Sequence, residues 1–560
     1  MSHSRWNLLP PVPHKHWIKT SGFSPLIAQL LFNRGITEPS QLESFISTDE
    51  RLSGDPGLLP GMHQAVARIY QALLSGENIA VYGDFDTDGI TATALLVQGL
   101  SMLDCKATPY IPHRLTEGYG LKIAALEELR RQGISLVITV DCGITGLREV
   151  KRAKRIGLDV VITDHHTPPA ILPPATAIIN PRLSCSNYPF AELSGAGVAL
   201  KLLQALFRGI GKEGQLNELM DLVALGTVAD MMPILGENRY LVKQGLKLIS
   251  ASPRLGIREM ITQSRLNVDS LDTESISWVI APRLNAAGRL EHAMGSYRLL
   301  MTDSPQEAQQ LAFWLEQKNA ERQRLTTRAL SRAREQVLAQ GISPLLIAGD
   351  SDFPVGIAGL VAGRLSEEFY RPAIVVRIGD RISGGSCRSI PEFNIISALT
   401  QCSSLFTHFG GHAQAAGFTL LTRNLPRLQQ ALLQAATTQL EGVDLRPKLD
   451  IDAEVTLSEL GGNTFPSIQK LAPFGRGNPV PTFLSRRLQV VDCHPMGNNG
   501  EHLRLKLRQG GTVWDAVGFR LGSYLTETSS PLDMVYSLEV DRWGGQERLR
   551  LNILDFAPSS

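Results

Sequence analysis

Short apolar runs recur through the first half of this chain. Residues 78–82, 107–111, 136–140, 160–163 and 176–179 are compact and rich in branched side chains, as buried strands are. Between them the apolar positions take a helical spacing over residues 91–102, 123–132 and 147–156. Strand alternating with helix predicts a parallel, doubly wound sheet. Residues 195–301 read as mostly helical. Ser304-Pro305 then opens a helix, with Ser as N-cap and Pro at the first position, running to Gly341. That length suits a connector between domains. A second α/β unit follows, with strands at 344–348 and 373–376 and glycine-rich stretches at 356–359, 384–389 and 410–417. The tail alternates as strands do at 503–507, 513–519, 534–540 and 549–553, with turns at Gly497-Asn498-Asn499-Gly500 and Gly544-Gly545. A small Greek-key barrel, an OB-fold, fits that spacing.

The expected fold class is therefore α/β: two α/β domains joined by a long helix, then an all-β OB-fold. Residues 1–75 form a helical lead-in packing on the first domain, 76–303 the first α/β domain, 304–341 the connector, 342–445 the second α/β domain and 446–560 the barrel. At 560 residues, about three or four domains are expected. A formal net charge of +1 advertises no bulk attraction to nucleic acid, so any such binding must use a local patch. The six cysteines stand far apart with no Cys-x-x-Cys pair, which fits reduced thiols and a cytoplasmic location. Met1-Ser2-His3-Ser4-Arg5-Trp6 lacks the apolar core of a signal peptide, and no apolar run is long enough to span a membrane.

Chemistry concentrates where the strands end. Asp84, Asp86 and Asp88 alternate after the strand at 78–82, Asp141 closes 136–140, and Asp164-His165-His166 follows 160–163. Asp230 closes another apolar stretch. The C-terminal edge of a parallel sheet is where such folds bind ligands. Carboxylate and imidazole suit hard or borderline divalent cations, and two such ions about 3.5–4 Å apart promote phosphoester cleavage. Asp141, between the other ligand strands, is the natural bridge. Each piece alone has a bland reading, such as a helix N-cap or an incidental histidine pair; their joint occurrence favours a metal site. Arg324, Arg328 and Arg332 form one basic helix face, read first as a solvated stripe and second as a nucleic-acid contact.

The stretches Tyr82-Gly83-Asp84-Phe85-Asp86-Thr87-Asp88-Gly89, Val140-Asp141-Cys142-Gly143, Thr163-Asp164-His165-His166, Gly226-Thr227-Val228-Ala229-Asp230 and Pro282-Arg283-Leu284-Asn285-Ala286-Ala287-Gly288-Arg289 resemble those of the DHH phosphoesterases, and within them the RecJ single-strand exonucleases. Gly410-Gly411-His412-Ala413 resembles the DHH-associated domain, and residues 471–479 a motif of the RecJ OB-fold region. The resemblance implies a site for two divalent cations, Mn2+ or Mg2+, held by Asp84, Asp86, Asp88, Asp141, His165 and Asp230. It implies that His166 faces the scissile phosphate, with Asp164 orienting a histidine. Arg114, Arg289, Ser386, Arg388 and His412 are the implied phosphate-handling groups, the glycines beside Ser386 letting backbone N–H groups approach as well. Tyr119 and Phe353 are candidates for base stacking or for packing. Phe353-Pro354 replaces the family's usual Trp-His, and Cys387 a common glycine. The implied function is 5′-to-3′ hydrolysis of single-stranded DNA in repair and recombination, by a monomer, with a helicase and a single-strand-binding protein as partners and no membrane. The alternatives are a phosphodiesterase for short RNA or cyclic dinucleotides, and a nuclease-dead single-strand-binding scaffold of replication.

Overall fold

The computed structural model describes residues 4–47, 49–497, 499–528, 531–541 and 547–559. They form two compact units: residues 53–232 with 237–445, and residues 1–52 with 233–236 and 446–560.

The first unit holds a five-stranded parallel sheet. Its order is Thr108–Tyr110, Asn78–Tyr82, Ile134–Val140, Asp159–Thr163, Ala177–Ile179. The order reverses between Asn78–Tyr82 and Ile134–Val140, which makes their C-terminal ends a topological switch point. Val81, Leu136, Ile138 and Val161 are fully buried, as strands covered on both faces require. The helix after the first strand spans Thr87–Ser101, starting before the expected residue 91 because the Asp86 carboxylate caps it by accepting from the Gly89 N–H. The connector is a 36-residue helix, Pro305–Gln340, capped by Ser304.

The second α/β domain carries a mixed sheet of order Phe406–His412, Ala415–Leu421, Ile382–Arg388, Ala373–Arg377, Leu346–Asp350, in which only the last pair is parallel. Two expectations change here. The glycines at 384–385, expected to open the backbone to phosphate, lie within a strand, as do those at 410–411, and Ser386 pairs with Val375 on one side and Gly417 on the other. Its backbone N–H therefore belongs to the sheet. Glycine is required at 385 because a Cβ there would come within 2.2 Å of the Phe418 ring. Phe353 is 2% exposed, in the core beneath helices Pro305–Gln340 and Val355–Phe369, so it packs and is closed to a base.

In the other unit, strands Thr482–Met496, His502–Gln509, Thr512–Gly518, Arg548–Pro558 and Leu532–Asp541 pair in that order, and the last returns to the first. The result is the closed five-stranded barrel of an OB-fold. Residues 1–52 share one compact unit with this barrel, where a lead-in to the first α/β domain was expected. Arg5–Leu8 pairs with Lys448–Ile451. Ile18, Ile27, Leu30, Leu31 and Phe45 share a core with Phe483, Leu503 and Tyr536. Arg34 forms a buried ion pair with Asp452. Helix Met62–Ser75 does belong to the first α/β domain. The expected turn at Gly544-Gly545 and the Asn498 position lie outside the described residues. Among the described residues no helix is long and apolar enough to cross a membrane.

Candidate metal centre

Three strand ends and one helix end converge at the switch point. Asp84, Asp86 and Asp88 follow Asn78–Tyr82, Asp141 follows Ile134–Val140, and Asp164-His165-His166 follows Asp159–Thr163. Asp230 is the C-cap of helix Met220–Ala229. Ligand-type atoms of Asp84, Asp86 and Asp141 lie within 4.8 Å of one another; so do those of Asp88, His165 and Asp230, and those of Asp141, His165 and His166. His165 Nε2 stands 3.0 Å from Asp141 Oδ1 and 3.6 Å from Asp230 Oδ2. Asp141 is thus the member common to both sides of the cluster. Its φ of +60° puts a non-glycine residue in the left-handed region, a strain that surrounding structure must hold.

The donor set fits divalent cations. Buried Asp84 Oδ1 has no hydrogen-bond partner, and Asp141 Oδ1 and His165 Nε2, though 3.0 Å apart, do not form a well-aligned hydrogen bond. Buried polar atoms are normally satisfied, and such atoms in one cluster are what a cation would satisfy. Burial, and then repulsion from neighbouring carboxylates, raises the pKa of Asp84 and Asp141 well above the ordinary range, Asp88 to about 7 and Asp230 to about 8. Burial lowers His165 to about 3, which keeps its imidazole neutral and its lone pair available.

Asp164 stands behind this layer. Its carboxylate accepts from the N–H groups of Ile144, His165 and His166 at 2.8–3.0 Å and from His166 Nδ1 at 2.8 Å. Burial opposes its ionisation, but the His166 hydrogen bond and charge outweigh that and lower its pKa. Burial likewise opposes protonation of His166, and the Asp164 bond prevails, raising it to about 9. Tyr119 joins the centre: its hydroxyl is 3.1 Å from His166 Nδ1 and its ring meets the imidazole edge-on.

Residues to which the sequence assigned no role find one here. The N-terminus of helix Gly195–Arg208 donates to Asp88, from Gly195 N at 2.6 Å and Ala196 N at 3.0 Å. A Cβ at Gly195 would lie 2.5 Å from Asp141 Cβ, and one at Gly226 2.4 Å from Asp88 Oδ1, so both positions admit only glycine. Asn285 Oδ1 accepts from Thr87 N at 3.0 Å and steadies the acidic loop.

Arginines gather beside the carboxylates. Burial, then the charges of Arg114, Arg322 and Arg388, lowers the pKa of Arg289, with Asp86 opposing. Such crowding of like charge is relieved by an anion. Arg114 lies over the Phe85 ring at 4.7 Å, and Arg388 against Gly359. Sequence reading missed Arg322, whose Nε is buried without a partner; it lies two residues before the Arg324 stripe that drew notice instead. Arg332 of that stripe is engaged by Asp350 and Asp352. His412, Ala415 and Arg388 form one row across three strands, and Gly410, Gly417 and Ser386 the adjacent row on the same face. That face presents a low floor bounded by Arg388 and His412.

Comparison with known proteins identifies the domains of the chain. Residues 78–227 match the DHH family N-terminal domain, 336–438 the DHHA1 domain and 451–555 the RecJ OB domain. The chain is 36% identical to the single-stranded-DNA-specific exonuclease RecJ of Bacillus subtilis, over all of this chain and 71% of that one. It matches the crystal structure of Thermus thermophilus RecJ in complex with Mn2+ at a TM-score of 0.84 and 30% identity, over 99% of this chain and 80% of that one. For the Mg2+ complex of the same protein the values are 0.79 and 28%, over 99% and 79%.

Proposed function

Because this chain belongs to the RecJ family of single-stranded-DNA-specific exonucleases, we propose that it removes nucleotides from single-stranded DNA in the 5′-to-3′ direction, in repair and recombination. It is a divalent-cation-dependent nuclease that hydrolyses phosphodiester bonds and binds single-stranded DNA. The observation that carries the mechanism is that Asp141 belongs to the group of Asp84 and Asp86 and lies 3.0 Å from His165, a member of the group of Asp88 and Asp230. Asp84, Asp86 and Asp141 would hold one cation, and Asp88, Asp141, His165 and Asp230 a second. Bound there, divalent cations supply an activated water and charge stabilisation at the leaving oxygen.

The remaining work falls to side chains. His166, kept protonated by Asp164, offers the scissile phosphate a cationic N–H donor. Arg114, Arg289 and Arg388 are suited to a terminal phosphate, with the Ser386 hydroxyl and His412 on the floor beside them. The full set of carboxylates favours catalysis over a nuclease-dead scaffold, and the OB barrel favours a long strand over a cyclic dinucleotide. A cytoplasmic monomer working with a helicase and a single-strand-binding protein completes the proposal. The test uses 5′- and 3′-end-labelled single- and double-stranded DNA with Mn2+. Immediate release of 5′ label as mononucleotide, gradual shortening of 3′-labelled strands and resistance of duplex are expected; release of 3′ label first overturns the polarity.

A further inference from the structure

Trp278 is 72% exposed, a costly setting for the largest aromatic side chain. It sits in the π-helical turn Ser275–Ile280, whose Ile276 and Ile280 face the core, and that turn runs directly into helix Ala281–Leu290. π-Turns within helices are frequent at functional sites. The following helix is tied to the metal-binding loop at two points: Thr87 Oγ donates to Ala281 O, and Thr87 N donates to Asn285 Oδ1. Four residues further, Arg289 lies in the arginine group. Trp278, Asn285 and Arg289 follow one another along one continuous helical segment, the π turn offsetting Trp278 around the axis from the α-helical pair Asn285 and Arg289. The segment from Trp278 to Arg289 is about 16 Å long. An exposed aromatic stands at one end, the acidic loop at the middle and a phosphate-type arginine at the other.

From this juxtaposition we infer that Trp278 is a base-stacking platform for the single strand 3′ of the scissile phosphate. The inference rests on the arginine group being the 5′-end pocket. A terminal phosphate there and a scissile phosphate at the carboxylates leave the rest of the strand to run toward Trp278. Stacking on an aromatic face is tolerant of sequence, as a nuclease that consumes any strand requires.

The test compares the full-length protein with W278A and W278F, using a 5′-phosphorylated single strand and a matched strand with abasic nucleotides after the second position. With Mn2+, W278A should raise KM on the intact strand about tenfold, equivalent to about 1.4 kcal/mol, with kcat within about twofold. W278F should stay near wild type, and on the abasic strand W278A and wild type should match. An unchanged KM on intact DNA, or an equal loss on both strands, overturns the platform. Degradation from the 3′ end by the unaltered protein would instead refute the polarity reading. Because the side chain is exposed, all three proteins should share one melting temperature.

Discussion

Substituting Gly195 by alanine probes how the bridging carboxylate is held. The new Cβ would stand 2.5 Å from Asp141 Cβ and 2.8 Å from its Oδ1. Ordinary contact begins at 3.4 Å, so the pair must separate by about 0.9 Å. Neither side yields easily. Gly195 is fixed by its N–H bond to Asp88, and Asp141 is held at φ +60° with its N–H bonded to Thr163 O. Overpacking of this kind costs about 1–3 kcal/mol of stability. The larger effect should be catalytic, because about 1 Å of misplacement can cost about 100-fold in rate. G195A should therefore fold with a modestly lower melting temperature, bind Mn2+ at least about tenfold more weakly and hydrolyse single-stranded DNA about 100-fold more slowly. The control is G245A, whose Cβ would meet Ala224 Cβ and Met220 O at 2.3 Å. It should lose stability without losing metal affinity. Calorimetric Mn2+ titration and a fluorescent-strand assay on both variants decide the matter. If G195A keeps its rate within about threefold of wild type, or G245A loses metal affinity to the same degree, close packing on Asp141 is not what positions it.

Metal-free protein should become more stable as pH falls from 9 to 6. Asp88 and Asp230, raised to about 7 and 8, take up protons in the folded state that the unfolded chain takes up only near 3.8; each gains up to about 1.4 kcal/mol per pH unit below its folded pKa. Thermal melts in chelator should rise across that range, while Mn2+-loaded protein stays flat or falls; a falling chelator series would contradict the repulsion described. R388A should lose most of the preference for 5′-phosphorylated over 5′-hydroxyl DNA, a ratio of kcat/KM values worth about 1.5–3 kcal/mol; an unchanged ratio would make Arg388 a general backbone contact. Removing residues 446–560 alone should strand the apolar faces of Ile18, Ile27, Leu30 and Leu31 and cause aggregation. Removing residues 1–52 as well should leave a soluble unit that cleaves short strands but binds long ones weakly, as light scattering and strand titrations would show.

Much of the catalytic half was legible because its signals are local. The first strand has the bounds read for it, Asn78–Tyr82, and each group of acids stands beside its apolar run. What escaped reading depends on distant partners. The strand Thr482–Met496 was missed because it bends at Arg487, where φ is +55° and the register shifts, so alternation breaks in mid-strand. Residues 5–8 carry no mark of pairing with 448–451, a contact between opposite ends of the chain. Gly384-Gly385 reads as a glycine-rich approach to phosphate; the reason for Gly385, the Phe418 ring, lies on the next strand. Phe353 could be read as stacking or packing until its burial was known. Arg322 gave no signal at all, since one arginine on a long polar helix is ordinary until its buried Nε is seen.

Asp141 is proposed to unite the cation site at which single-stranded DNA is hydrolysed. The direct measurement is hydrolysis of a 5′-labelled single strand by wild type and D141A, with Mn2+ bound per chain determined on the same samples. Wild type should release labelled mononucleotide, and D141A should bind less Mn2+ and fall below about a tenth of the wild-type rate, a barrier increase above about 1.4 kcal/mol. A D141A protein that keeps more than that tenth, or that loses activity with its Mn2+ content and its fold both intact, would contradict the bridging role of Asp141.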